Sequence, residues 1–521
     1  MSKICSASDA AAVISDTQTV ASTGVIGWMT PDAVLGALGE RFDATGAPGD
    51  LTFYFPVGTG DAVEIPGMDH VAKKGLMRRI VSGSYINPRH PRTGQRPALM
   101  ELIQGDLIEA YSWPIGASMH WLREVARRSP GYLTKVGLGT YIDPRHGGGR
   151  FTSQATDELV EVVDFRGEEY LFYPTWPLDV GIIRASSADE AGNLSFEDQP
   201  LVSSAIALAL AVKASGGTVI AQVGNVVPRG SRPAHAVRIP GTLVDHVVVA
   251  PDEMTGTDVR DDPGYLGAVP NVAERLPRLP SGADKIIARR VAQEIRTGEA
   301  AIFGFGASSD AVLAMAEDGA LDDGRLDDYV FTTEHGPFGG AVMSGWQFSA
   351  NYSPEGLLDG AYQFDFIDGG GCPFAALAFA QIDAACNVNV SRFGSANPGA
   401  GGFIDIAHNA QRLVFAGTLT TGGLQIDCTG GELRIAQEGK VSKLVAQADD
   451  ITYRIGTGVR ERGQQALVIT ERAVFEVTAD GLCLIEVAPG IDVQRDVLDV
   501  VGFEVSVADH LSTWDADLLR P

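Results

Sequence analysis

Two stretches of this sequence repeat one short unit, and that unit restricts the fold more than any other feature. Residues 17–20 carry a strand pattern that runs into Ala21-Ser22-Thr23-Gly24-Val25-Ile26-Gly27 and hands over to a helix from Pro31. Far downstream, Ala300 to Phe303 reads as the same kind of strand, followed by Gly304-Phe305-Gly306-Ala307-Ser308 and another helical pattern. Alternation of such strands with helices predicts a parallel α/β sheet, with ligands in the crevice outside the carboxyl ends of its strands. Each glycine turn either packs tightly or presents backbone amides to an anion or a developing oxyanion. The echo suggests two related open α/β halves.

Size supports that division. At 521 residues and 55.0 kDa the chain exceeds what a single core serves, and 45% hydrophobic residues are enough for two. Asp, Pro and Gly crowd together between 258 and 282, so the first domain is expected over 1–265, a linker over 266–282 and the second domain over 283–521. Within the first, residues 5–14 read as a helix capped by Ser6 or Ser8. Leu51 to Phe55, 107–111, 180–186 and 218–223 read as strands, the last a buried apolar run, and Ala205 to Ala214 as a helix. Lys73, Lys74, Arg78 and Arg79 have spacings that place two of them on one helical face, and the Pro- and Arg-rich segment between Tyr85 and Leu99 reads as a surface loop. In the second, Asp284 is expected to cap a helix over 285–296, and residues 413–493 are strand-rich, with a hairpin signal at Thr429-Gly430-Gly431.

Lys plus Arg number 40 against 66 Asp plus Glu, a formal charge of −26, which repels nucleic-acid backbones and anionic membranes. Cys5, Cys372, Cys386, Cys428 and Cys483 lack zinc-site spacing and read as reduced thiols, so no metal is expected. No apolar run is long enough to span a bilayer and the amino terminus is a poor signal peptide; a cytoplasmic location is the expectation.

The chemistry concentrates in Val330-Phe331-Thr332-Thr333-Glu334-His335-Gly336-Pro337-Phe338-Gly339-Gly340. It is a β-rich run that ends on a carboxylate and breaks into a glycine- and proline-rich turn, a geometry that displays Glu334 to the crevice. Taken alone, a Glu-X-Gly is more often the mark of an ordinary solvated turn. His335 follows directly, and because adjacent strand residues point to opposite faces it is assigned a structural role. Downstream, Gly399-Ala400-Gly401-Gly402-Phe403 places three glycines within four residues, which is expected to free several backbone amides as donors.

The Glu334 stretch resembles the active-site segment of class I CoA-transferases, the propionate and short-chain acyl-CoA:carboxylate group, whose glutamate becomes a glutamyl-CoA thioester. Met68-Asp69-His70 with Gly75-Leu76, Leu133-Thr134-Lys135-Val136-Gly137-Leu138-Gly139-Thr140 with Asp143-Pro144-Arg145, and Gln363-Phe364-Asp365-Phe366 with Asp368-Gly369-Gly370-Gly371 are similar to the family as well. So are Asn387-Val388-Asn389-Val390-Ser391, Gly401-Gly402-Phe403-Ile404 and Ile469-Thr470-Glu471-Arg472-Ala473-Val474-Phe475, all in family order along nearly the whole chain. The resemblance implies two CoA-transferase α/β domains with the active site in the crevice between them and Glu334 as nucleophile. It implies Gly24, Gly27, Gly399, Gly401 and Gly402 as oxyanion or CoA-loop residues, and Gly304, Phe305, Gly306, Ala307, Ser308 and Asn351 as CoA contacts. Acyl-CoA and a carboxylate would be substrates, no cofactor would be tightly bound, and the assembly would be a homodimer or homotetramer. The family's Pro-Gln-Gly is replaced here by Pro114-Ile115-Gly116, which implies a less polar substrate pocket. A hydrolase on the same scaffold, and a subunit role in a larger acyl-transfer complex, stay open at this point.

Overall fold

The computed structural model describes residues 3–62, 64–85, 94–269 and 275–521. Two open sheets organise it. The first runs, in spatial order, Ile4–Cys5, His246–Val249, Thr218–Val227, Val180–Asp189, Thr19–Ser22, Leu51–Phe55, Met77–Ser82 and Glu109–Ser112, and every neighbouring pair along it is parallel. Every residue of Leu51–Phe55 and of Val180–Asp189 is buried, as strands covered on both faces require. The second sheet has a parallel centre of Val330–Thr332, Ala300–Phe303, Phe374–Ala378, Arg412–Ala416 and Gln465–Ile469. Antiparallel strands join it on both sides, Pro337–Phe338 beside the first and Ala473–Thr478 beside the last.

The carboxyl ends of the two sheets meet. Helix Ile115–Arg127 starts just past the Glu109–Ser112 strand, and its first amides bond across the seam: Ile115 N–H donates to Gly401 O (2.9 Å) and Gly116 N–H to Asp405 Oδ2 (3.2 Å). A Cβ at Gly116 would collide with Asp405 Oδ1, so only glycine lets the Asp405 carboxylate reach this helix's backbone. Further along the seam, His120 Nε2 lies 3.0 Å from Asp368 Oδ2, Arg123 Nη1 bonds Asp365 (2.6 Å), and Trp28 Nε1–H donates to Phe348 O (3.3 Å).

Several elements differ from the sequence expectation for identifiable reasons. Lys73, Lys74, Arg78 and Arg79 share no helical face: the chain turns tightly at Gly75 and enters the Met77–Ser82 strand. Lys73 pairs with Asp43, and Arg78 and Arg79 share Glu109. Helix Ala283–Ala292 is capped by Gly282, with Asp284 inside its first turn, where a carboxylate still favours the helix dipole. The expected linker lies partly outside the described residues, at 270–274, and the loop between Tyr85 and Leu99 does so at 86–93. All five cysteines are free thiols, and among the described residues no helix is long and apolar enough to cross a membrane.

Next to the Gln465–Ile469 strand, Arg472 and Glu471 are both fully buried. Arg472 Nε donates to Glu471 Oε1 (2.6 Å) and Nη1 to Glu438 Oε2 (2.7 Å), while Glu471 Oε2 accepts from Leu419 N–H (2.9 Å). Removing the cation leaves a buried carboxylate without its counter-charge. Arg472→Met is therefore expected to cost about 3–5 kcal/mol. Urea denaturation checks it, and a loss below about 1 kcal/mol would show that water reaches Glu471.

Candidate active site

Strand Val330–Thr332 ends earlier than its sequence suggests, and Glu334 sits two residues on, in the turn that leads back into the antiparallel Pro337–Phe338 strand. Gly336 makes that turn possible. Its φ is +102°, and a Cβ there would strike Leu358 O. The turn is pinned from every side. Thr332 Oγ1–H donates to Pro337 O (2.6 Å), Thr333 Oγ1–H to Ser349 O (2.8 Å), and Gln363 Nε2–H to Thr333 O (2.8 Å). Asn351 Nδ2–H bridges Phe331 O (3.1 Å) and Gly339 O (2.7 Å).

The glutamate side chain has no such support, and neither does the ring of its neighbour His335, whose Nδ1 has no partner among the described residues. Glu334 is 8% exposed, and its Oε2 has no hydrogen-bond partner among the described residues. Its Oε1 lies 3.7 Å from His335 Nε2, too far for a hydrogen bond. Burial disfavours the charged form and lifts the Glu334 pKa to about 7. The same burial lowers His335 to about 3, so its ring is neutral and offers the carboxylate no cation.

Gly402 forms the opposite wall: a Cβ there would stand 3.2 Å from both Cβ and Cγ of Glu334. The expectation of several free amides in the 399–402 loop is corrected. Gly399 N–H bonds Ser391 O, Ala400 N–H bonds Ser112 Oγ, and Gly401 N–H bonds Gly83 O. The last two of those bonds lash the loop to the strand ends of the first sheet, and of the four residues 399–402 only the Gly402 amide has no partner among the described residues. Ile115, also buried, packs its side chain beside Gly83 and so puts hydrocarbon where this loop meets the first sheet.

The other expected residues fall at differing distances from this centre. The 304–308 turn follows the strand adjacent to that of Glu334, with Ser308 Oγ–H closing it onto Gly304 O (2.9 Å) and Gly306 at φ +115°. Phe305 stands 55% exposed, its ring edge-on to Phe348 at 5.6 Å, and Ala307 packs against the core. Asn351 is a buried brace of the Glu334 turn. Gly24 and Gly27 fit tightly into the first half, where a Cβ would strike Thr59 at one and stand 2.5 Å from Thr257 Oγ1 at the other. Gln363, which holds the turn, lies in the Gln363–Phe366 stretch that resembles the family, whereas Asp405, which accepts from the Gly116 amide across the seam, carries no local pattern that marks it for this role.

This architecture has close counterparts. The profile of the family described as Coenzyme A transferase matches residues 4–250. Caffeate CoA-transferase of Acetobacterium woodii is 37% identical over 99% of this chain and 97% of its own length. Acetate CoA-transferase YdiF of Escherichia coli (strain K12) is 35% identical over 99% of this chain and 94% of its own. The chain belongs to the class I CoA-transferase family. Its structure superposes on that of acyl-CoA transferase YdiF from E. coli O157:H7, in a thioester complex with CoA, with a TM-score of 0.89, 34% identity and coverage of 100% of this chain and 96% of that one. This CoA-transferase is thus an enzyme acting between an acyl-CoA and a carboxylate, on an open mixed α/β scaffold.

Proposed function

We propose that this CoA-transferase moves CoA from a donor acyl-CoA to a short-chain carboxylate through covalent intermediates on Glu334. The observation that carries the reading is the buried carboxyl of Glu334, its Oε2 without a hydrogen-bond partner among the described residues, between a glycine-supported turn and the bare face of Gly402. A desolvated carboxylate has lost the water that would otherwise blunt it as a nucleophile.

Glu334 attacks the acyl-CoA carbonyl, forming an acyl-glutamyl anhydride and expelling the CoA thiolate. The thiolate attacks the glutamyl carbonyl of the anhydride, releasing the donor carboxylate and leaving CoA on Glu334 as a thioester. The acceptor carboxylate reverses both steps and departs as its CoA ester, with Glu334 free again. The Gly402 amide, the loop's one uncommitted donor among the described residues, would stabilise the oxyanion of these steps. The relative named for acetate favours a short-chain carboxylate acceptor, and the apolar side chain of Ile115 favours one with few polar groups near its carboxyl.

Incubation with acyl-CoA alone, borohydride reduction and peptide mapping are expected to place the modification on Glu334. Because the carboxylate is the attacking form, the labelling rate should rise with pH to a plateau, with its midpoint near 7, and fall about tenfold per pH unit below it. With both substrates present, double-reciprocal plots should be parallel. A label on another residue would sink the mechanism, and a midpoint at an ordinary carboxylate value would sink the desolvated nucleophile.

A further inference from the structure

One buried carboxyl at the seam between the two halves has no counter-charge. Asp405 lies in the first turn of helix Phe403–Asn409 and is 1% exposed. Its Oδ2 accepts from Gly116 N–H (3.2 Å) and its Oδ1 has no partner among the described residues, so no cation there bonds either oxygen. Oδ1 packs on the bare Cα of Gly116, beside the Phe364 ring. The neighbouring acid, Asp368 at the end of helix Gly360–Asp368, is better provided. Its Oδ2 lies 3.0 Å from His120 Nε2 and its Oδ1 accepts from Asn409 Nδ2 (3.0 Å). The phenols of Tyr132 and Tyr173, from strands Gly131–Thr134 and Glu168–Pro174, also lie within the field of Asp405, and Tyr173 Oη has no partner among the described residues. His120, the nearby base on helix Ile115–Arg127, faces Asp368 and Asp365.

Two carboxyls that share a site do not both ionise cheaply, and the one with fewer donors keeps its proton. Asp405 sets one amide against burial and the field of Asp368, which together push its carboxyl well above the ordinary range. That one amide joins the halves. Pro114, ahead of helix Ile115–Arg127, offers no side-chain cap, so the acceptor for the Gly116 amide comes from Asp405, 289 positions away. Asp405 also stands three residues past Gly402, whose bare face backs Glu334, and Ile406 N–H donates to Gly402 O (3.0 Å) in the same turn. The contact thus fixes the turn that carries the wall of Glu334 against the first turn of a 13-residue helix in the other half.

We propose that Asp405 is a positioning residue for Glu334 and works as an uncharged acid, its Oδ2 bonding Gly116 N–H and so holding the Gly402 wall in register across the seam. The proposal rests on the reading of Glu334 given above. An ionised Asp405 would draw water into the seam, and water there would part the turn from helix Ile115–Arg127. An uncharged acceptor keeps the seam dry. A small displacement of the wall is enough to slow a reaction that depends on alignment.

Two variants separate this role from a merely structural one: Asp405→Ala removes the acceptor, and Asp405→Asn keeps an acceptor without a charge. Asp405→Ala is expected to lower kcat by ~10-fold or more at pH 7 with the KM for acyl-CoA within ~2-fold of the wild type, and Asp405→Asn to restore most of that loss. A carboxyl that keeps its proton on folding contributes stability that is fully present below its unfolded value, 3.8, and is lost as pH rises toward its raised folded value. Urea denaturation between pH 5 and pH 7 should therefore find the unfolding equilibrium constant of the wild type, relative to that of Asp405→Asn, rising by ~10-fold per pH unit. If Asp405→Ala does not fold, that comparison still decides. An Asn variant as slow as the Ala variant, an Ala variant with wild-type kcat, or a wild-type-to-Asn ratio that does not move with pH overturns the proposal. A borohydride label on Glu334 beside a fully active Ala variant overturns this role alone. A label on another residue, with both variants behaving as expected, supports the seam contact and overturns the mechanism instead.

Discussion

Glu334→Gln is expected to abolish CoA transfer, by ~10⁴-fold or more, and at the same time to make the folded protein more stable at alkaline pH. The first effect follows from the loss of the only group proposed to carry CoA. The second follows from linkage. A carboxyl whose folded-state pKa is raised from 4.5 to about 7 contributes stability that is fully present below pH 4.5 and is lost as pH rises through 7. At pH 8 the wild type therefore holds an ionised group in a site that resists it, at a cost of about 3 kcal/mol relative to its unfolded chain. Glutamine does not ionise, so urea denaturation should find the variant more stable by up to about 3 kcal/mol at pH 8 and little changed at pH 4. An equal difference at both pH values would show that Glu334 is not desolvated, whatever happens to activity.

Gly402→Val should lower kcat by ~10²-fold or more while the melting temperature stays near that of the wild type. Gly402 has an ordinary negative φ, −84°, and caps the Phe403–Asn409 helix, so its backbone tolerates a side chain. What does not tolerate one is the space beyond: Glu334 Cβ and Cγ stand 3.2 Å from a Cβ there, and Ile406 Cδ1 stands 3.3 Å from it. On the proposed mechanism, the branched methyls would push Glu334 off the thioester carbonyl and crowd the loop's free amide. Steady-state kinetics beside a melting curve decide the matter. A folded and fully active variant would show that the loop yields, and an unfolded one that Gly402 serves stability instead.

What was legible in the sequence was local. Leu51–Phe55, Ala205–Ala214 and Ala300–Phe303 stand where their apolar runs place them, since a continuously buried element leaves a continuous apolar run. The glycine-rich turn after Val330 was legible too, although the strand stops short of Glu334. The arrangement around that carboxyl was not. Gly116 meets Asp405 across 289 positions and His120 meets Asp368 across 248, pairings that no local spacing announces. The basic residues from Lys73 to Arg79 were misleading because helical spacing says nothing of a tight turn at Gly75. In the 399–402 loop, glycine was rightly taken as a sign of close approach, but the approach is to protein: Ser391, Ser112 and Gly83 take the amides.

The wall behind Glu334 is built from both halves, because the loop that holds Gly402 is tied to Gly83, Ser112 and Ile115 of the first sheet. Residue 334 leaves the ribosome well before residue 402. In that interval its carboxyl lacks this wall and stands in water, with the weak nucleophilicity of any surface glutamate. On the proposed mechanism, a nascent or partly unfolded chain would therefore not acylate itself, and reactivity would arrive only when the last wall closes.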